Sequence, residues 1–414
     1  MNIGDLEYLA CPVFPDRVFN IKDFAAGAGD KGALQRAIDE CRSQGGGTVR
    51  VDAGTWQTGA VKLYSNIQLF LEEKSRLEFS SDPADYLPLA FTRWEGIECW
   101  NYSPLIYAID CENIAISGKG ELFGNGQDWW HWKRLQKAAA RKAYDAEADG
   151  VPVDQRRFGT EEAALRPSFI QFIRCRNVCW QDFTVLDGPQ WMLHPVYCEN
   201  VIVRGVTVSS TGPNTDGLNP DSCTNVLIED CAFKTGDDCI ALNSGMNEDG
   251  WRVNRPCQNI LIRRCRMTGG HGGVVIGSGM SGGVHNVMVR DCEFDGTELG
   301  IRLKAMRGRG GVVENISYDN IRINNIPGPA IQITTFYHAT TIPPRSEVPP
   351  VFRNLKISNI SGAGNQLGLE MKGLSDAKLE NITLEHVSLA ADSAMECCDL
   401  CDISMNDVKI RKNG

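Results

Sequence analysis

The chain of 414 residues contains no run of about 18 apolar residues, so nothing in it is suited to cross a bilayer as a helix. It also has no excess of positive charge. Its 42 Lys and Arg stand against 52 Asp and Glu, and a net charge of −10 argues against nucleic acid or an anionic membrane as partner. Proline and glycine are scattered, which leaves no low-complexity linker. The stretch from Met1 to Val13 carries Asp5 and Glu7 and lacks the basic start and apolar run of a signal peptide, so the expected location is the cytoplasm. Also missing is a second cysteine pair to complement the cluster Cys397, Cys398 and Cys401, and the nearest histidine, His386, is not at zinc-site spacing. The sixteen cysteines are accordingly expected to be thiols that pack in the interior, with no metal and no cofactor.

What is present is globular composition, 42% hydrophobic and 23% charged, and a repeat. An Asn, a β-branched run and an apolar or Cys residue six positions on recur along the chain. The copies are NVCWQDFTV from Asn177, NVIVRGVTV from Asn200, NVLIEDCAF from Asn225, NILIRRCRM from Asn259, NVMVRDCEF from Asn286, NISYDNIRI from Asn315, NLKISNI from Asn354 and NITLEHVSL from Asn381. A looser copy, NIAISGKGEL, starts at Asn113. Each copy alternates apolar and polar residues as two short strands, with no amphipathic helix between copies. The intervals run from 23 residues, Asn177 to Asn200, to 39, Asn315 to Asn354. Such units cannot bury their inward faces alone, and stacking them predicts one all-β domain over 1–414, a right-handed parallel β-helix. In that register Cys231, Cys265 and Cys292 stack inside the coil and the asparagines form a hydrogen-bonded ladder at a turn.

Two segments interrupt the pattern. Residues 32–46, GALQRAIDECRSQGG, place Leu34, Ala37, Ile38 and Cys41 at helical spacing and are expected to cap the first coil. Residues 129–166 form a helical, charged insertion between coils.

Four motifs lie about one coil apart: Asp216 in PNTDGLNPDSC, Asp237 and Asp238 in KTGDDCIAL, His271 in GGHGGVVIGS, and Arg302 with Lys304 in GIRLK. With strands of adjacent coils about 4.8 Å apart, three steps span about 14 Å, so the motifs should share one strip. Three carboxylates, an imidazole and two cations supply what glycoside hydrolysis needs, namely an acid for the leaving oxygen, a base for water, and cations to hold substrate. Neighbouring strand residues face opposite ways, so Asp237 and Asp238 can share the cleft only if the backbone bends, which Gly236 would allow. Carboxylates so crowded repel one another and raise at least one pKa.

The NTD, DD, GHG and R-x-K motifs, in this order, resemble glycoside hydrolase family 28, the polygalacturonases. Most of the chain shares the resemblance, including VFNIKDFAAGAGDKGALQRAIDECRSQGGGTVRV, TRWEGIECWNYSPLIYA, GPQWMLHP and the span from Pro213 to Gly311. Gly279 departs from it, standing where similar bacterial sequences carry an acidic residue, as does LFGNG near residue 122, usually LDGQG. The resemblance implies a parallel β-helix that hydrolyses α-1,4-linked galacturonic acid with inversion. Asp237 would be the general acid, Asp216 and Asp238 would orient and deprotonate water, and His271 would support the protonation of the acid. Asn214, Arg302 and Lys304 would bind substrate, the two cations taking its carboxylates. Partners would be galacturonic-acid oligosaccharides, with a homo-oligomer possible.

The strip of aspartates separates this reading from a calcium-dependent lyase and from a non-catalytic carbohydrate-binding β-helix. His271 and paired cations favour homogalacturonan over a rhamnogalacturonan-directed activity of the same family. An insertion bearing Trp129, Trp130, Trp132, Lys133, Arg134, Lys137, Arg141 and Lys142 is expected to fold over one end of the groove. There it would supply stacking and charge for a terminal sugar and favour exo attack.

Overall fold

The computed structural model describes residues 2–338 and 342–413 and is a right-handed parallel β-helix. Three ladders of parallel strands run its length. The first climbs from Val18–Asn20 through Gly47–Val51, Ile67–Leu71, Glu112–Gly118, Arg176–Gln181, Glu199–Arg204, Thr224–Glu229 and Cys257–Arg263. The second holds Gly54–Thr58, Ser75–Phe79, Glu121–Phe123, Thr184–Leu186, Thr207–Ser209, Ala232–Lys234 and Arg266–Thr268. From Val284–Asp295 onward these two ladders join into long bent strands. The third ladder stacks Ile106–Ile109, Ile170–Ile173 and Leu193–Val196, continues through bridges at Leu218 and Asp221 to Ile240–Leu242, Val274–Ile276, Ile301–Lys304 and Pro329–Thr334, and ends in the distal halves of Val351–Lys372 and Leu379–Cys398.

The repeat dictates this register. Val178, Val201, Val226, Ile260, Val287, Ile316, Leu355 and Ile382 stack one above another in an inward column, all buried, each worth about 1.5–3 kcal/mol of apolar burial. The asparagine ladder forms as expected. Each Asn Nδ2 donates to the Oδ1 of the Asn one coil below, from Asn381 down to Asn113 and on to Asn66. All of them adopt left-handed backbone, which Asn tolerates better than a branched residue would. Cys231, Cys265 and Cys292 stack inside the coil, and Cys111, Cys175, Cys198, Cys223 and Cys257 form a second buried stack.

The expectation of packed thiols fails at two places. Cys11 and Cys179 form a disulfide. The outward positions of the first ladder, Ala115, Cys179, Ile202, Leu227, Leu261 and Met288, are an apolar stripe, and an N-terminal strap covers it with Ile3, Leu6, Leu9 and Phe14. Glu7 of the strap pairs with Arg263 at 2.7 Å and Arg290 at 2.5 Å. Cys397, Cys398 and Cys401 are exposed on the last coils, where too little chain lies above them to bury a side chain.

Helix α1 (Ala33–Ser43) buries Leu34, Ala37, Ile38 and Cys41 against the first coil, as its periodicity requires. The insertion begins with single turns Gln127–Trp130 and Trp132–Leu135, continues as α2 (Lys137–Ala148) and runs irregularly to Arg166. A hairpin of Ala90–Trp94 and Ile97–Asn101 turns at Glu95 and Gly96. Trp94, Ile97 and Cys99 of the hairpin, Ala139, Ala143 and Tyr144 of α2, and Met246, just before α3 (Asn247–Val253), make a small second core. That core fixes the insertion beside the third ladder.

Candidate active site

The motifs meet where the second ladder turns into the third. Asp216 precedes the bridge at Leu218, Asp237 and Asp238 precede Ile240–Leu242, His271 precedes Val274–Ile276, and Arg302 and Lys304 lie within Ile301–Lys304. The backbone bends at Gly236 and Asp237, so both aspartates reach the cleft. Gly236 is needed there for close approach and not for left-handed backbone: a Cβ would lie 2.1 Å from the carbonyl oxygen of Gly212. Gly270 combines both demands, with φ of 94° and a Cβ that would meet Asp237 O at 2.5 Å. His271 N donates to that same oxygen at 3.0 Å, locking the histidine turn to the aspartate turn.

One carboxylate oxygen from each of Asp216, Asp237 and Asp238 lies within 4.8 Å of the others. Lys304 Nζ donates to Asp238 Oδ2 at 2.6 Å and Arg302 Nη1 to Asp238 Oδ1 at 3.3 Å. Two protein cations thus pair with one member of the cluster, Asp238. Burial works against the Lys304 ammonium, but Asp238 beside it keeps its pKa raised. Asp216 is buried, and that burial, with the charges of Asp237 and Asp238, pushes its carboxyl well above the usual range. Among the described residues its carboxyl has one hydrogen-bond partner, Asn219 Nδ2, at 3.0 Å from Oδ2.

Asp237 goes the other way. Burial would raise it, but His271, whose Nδ1 lies 3.0 Å from Oδ1, together with Lys304 and the backbone N–H of Asp238 outweighs burial and holds the carboxyl at about 2. Asn214 Nδ2 at 3.3 Å from Oδ2 holds its other oxygen. The hydrogen bond to Asp237 is also the main reason His271 titrates above its ordinary 6.5. The site thus favours the protonated form of Asp216 and, within the His271–Asp237 pair, a proton on the imidazole.

A cavity of about 320 Å³ opens over this cluster. Asn214, Asp216, Asp237, Asp238 and Lys304 line its floor, with Gly279 at its edge. Arg302 is not among the lining residues and meets Asp238 from the side. Lys133, Gln136, Lys137, Ala140 and Tyr144 of the insertion form one wall, and Trp94, Glu95 and Gly96 of the hairpin another.

The tryptophans expected to stack on sugar do not face the cavity. Trp129 and Trp132 are buried with ring centres 4.9 Å apart, packed on Tyr86 and Tyr102, and Trp130 Nε1 donates to Gly188 O at 3.0 Å. Their ring faces serve to seat the insertion on the coil, while Trp94 and Trp191 line the cavity instead. Of the basic run, Lys133 and Lys137 reach the cavity, whereas Arg141 turns along the helix to Asp145.

The sequence reading did not single out Tyr144, Trp94, Glu95, Trp191, Arg166 or Arg309. Arg166, at the end of the insertion, is fully buried. Its guanidinium donates to Gln136 Oε1 at 3.1 Å, Pro189 O at 3.0 Å, Pro213 O at 2.7 Å and Asn214 Oδ1 at 2.9 Å, so it fixes the amide that holds Asp237. The two-residue Glu95–Gly96 turn between strands was the one local signal for the hairpin.

The family model of glycosyl hydrolases family 28 matches residues 154–406. A probable polygalacturonase of Vitis vinifera is 30% identical over 90% of this chain and 74% of its own. An exo-poly-alpha-D-galacturonosidase of Dickeya chrysanthemi is 26% identical over 95% of this chain and 70% of its own. Among solved structures, a hyperthermoactive exopolygalacturonase from Thermotoga maritima is 37% identical and superposes with a TM-score of 0.91, covering 98% of this chain and 95% of that one.

Proposed function

The chain belongs to glycosyl hydrolases family 28, and on that premise we propose that it is an exo-acting polygalacturonase, removing galacturonic acid from the non-reducing end of α-1,4-linked oligogalacturonides. The observation that carries the exo reading is the cavity. Its floor holds Asp216, Asp237 and Asp238 and one wall belongs to the insertion, so the groove is a pocket at the small end of ligand sites. Lys133, Lys137 and Lys304 bring cations to a pocket that also holds Glu95 and the three aspartates, and so offer partners to the carboxylate of an anionic sugar.

In the proposed mechanism Asp237 protonates the leaving glycosidic oxygen. The proton comes to it from His271 Nδ1, which lies 3.0 Å from Oδ1, so the pair enters the reaction as imidazolium and carboxylate and leaves one proton on the alcohol. Asp238, held by Lys304 and Arg302, takes the proton of the attacking water, and the carboxyl of Asp216 orients that water. Asn214 positions the acid, and Arg302 and Lys304 exchange part of their hold on Asp238 for the substrate carboxylate.

We further propose inversion. The carboxylate oxygens lie within 4.8 Å, closer than the roughly 6.5–9.5 Å of most inverting pairs, so the anomer must be measured directly. Proton NMR of the first product should show the β-anomer, and an α-anomer would overturn this step. A time course on polygalacturonate tests the rest. Early monomer with little loss of viscosity is expected, and a rapid viscosity drop with mixed oligomers would refute exo attack. Asp237→Asn should lower kcat by about 10²- to 10⁴-fold.

A further inference from the structure

Arg93, Arg156, Arg166 and Arg309 are buried arginines, and of these Arg309 alone lines the cavity, while Arg93, although its Nη2 also lacks a partner, has its charge balanced by a carboxylate, as does Arg156. Arg93 Nη1 pairs with Asp221 at 3.0 Å and Arg156 Nη1 with Asp249 at 2.8 Å. Arg166 has neutral acceptors for Nε, Nη1 and Nη2. Arg309 is different. It is fully buried, and its Nη1 donates to Asn247 Oδ1 at 2.5 Å, but Nε and Nη2 have no partner and no carboxylate lies within ion-pair distance among the described residues. Nε and Nη2 share one edge of the guanidinium, the edge that meets a carboxylate with two parallel hydrogen bonds.

This arginine lines the same cavity as the three aspartates, beside Tyr144, Met246, Gly279 and Tyr337. The carboxylates whose charge it feels are Glu147 and Glu248, which places it on the α2 side and not over the acid cluster. Its orientation is fixed. Asn247, which accepts from it, donates through Nδ2 to Glu147 Oε1 of α2 at 2.8 Å, and Trp251 Nε1 donates to Arg309 O at 3.2 Å. A buried cation with an unpaired two-donor edge is costly unless an anion completes it, and a neutral sugar would leave that edge dry and unpaired.

We propose that Arg309 is a specificity-determining residue whose Nε–Nη2 edge grips the carboxylate of a bound uronate, a carboxylate other than the one held near Arg302 and Lys304. This rests on the uronate-hydrolase reading above, and the test is chosen to separate the two. Calorimetric binding of trigalacturonate and of its methyl ester is compared in the Asp237→Asn background, with and without Arg309→Met or Arg309→Lys, alongside kcat/KM for both substrates in otherwise wild-type enzyme.

The free acid should bind more tightly than the ester. Arg309→Met should cut that preference by about tenfold or more, through weaker binding of the acid, with Arg309→Lys in between. Equal losses on acid and ester, or an unchanged preference in a variant that melts as the parent does, would overturn the proposal. Should Arg309→Met not fold, Arg309→Lys reads the same ratio. Uronate binding that depends on Arg309 in a protein that hydrolyses neither substrate would refute the hydrolase reading and leave this one standing. A protein that binds no uronate would sink both.

Discussion

His271 shows how much chemistry can hang on one side chain. It bonds Asp237 at 3.0 Å and faces Glu298 at 3.6 Å, and both interactions favour the imidazolium. With its pKa raised above 6.5, His271 keeps its proton to higher pH than a free imidazole and loses it as pH rises through the raised value, so the alkaline fall of kcat should lie above pH 6.5. In His271→Asn that fall should vanish or move while kcat drops. An identical alkaline fall in the variant would show that another group sets it. At this scale the sequence was legible where chemistry comes from residue type and order, as in the three aspartates, the histidine and Lys304. It was not legible where facing decides. Trp129 and Trp132 have the composition of a sugar platform, but helical spacing tells which side a residue is on and not what lies opposite. Arg309 was missed because its interest lies in having no partner, which only the folded chain reveals.

Among the elements, the N-terminal strap is the least expected. Cys11 lies in an irregular segment and Cys179 reads as one more residue of a strand, so no spacing rule pairs them. A signal was nonetheless present. In copies such as NVIVRGVTV the position between two inward valines is apolar as well, and an outward apolar column must be covered by something. Closing a loop of 168 residues is worth about 5 kcal/mol in the chain-entropy account of disulfides. Cys11→Ser, or reduction of the wild type, should therefore lower the melting temperature by a similar amount in each case. The strap lies on the first ladder and the cavity on the third, so kcat at 25 °C should not change. A loss of activity without loss of stability would contradict this separation.

For the whole molecule the asparagine repeat carried nearly all the information. It set the register and the stacking of Cys231, Cys265 and Cys292, while the first coils, the last strand and the insertion and hairpin that shape the cavity lay outside it. The ladder itself can be tested. Asn225 both donates, to Asn200 at 3.1 Å, and accepts, from Asn259 at 3.3 Å, whereas Asn381 only donates, to Asn354 at 2.8 Å. Both have left-handed backbone, so that cost is common to the two alanine variants. Asn225→Ala should then destabilise by about 1 kcal/mol more than Asn381→Ala in denaturant unfolding, and equal losses would mean that the bonds contribute nothing net. Every bond in this ladder points the same way, from donor above to acceptor below. Turning one amide over would set donor against donor on one side and acceptor against acceptor on the other. The amides can therefore reverse only all together, like spins in a small magnet, and the coil has a built-in sense of up and down that each new turn must match before it can stack.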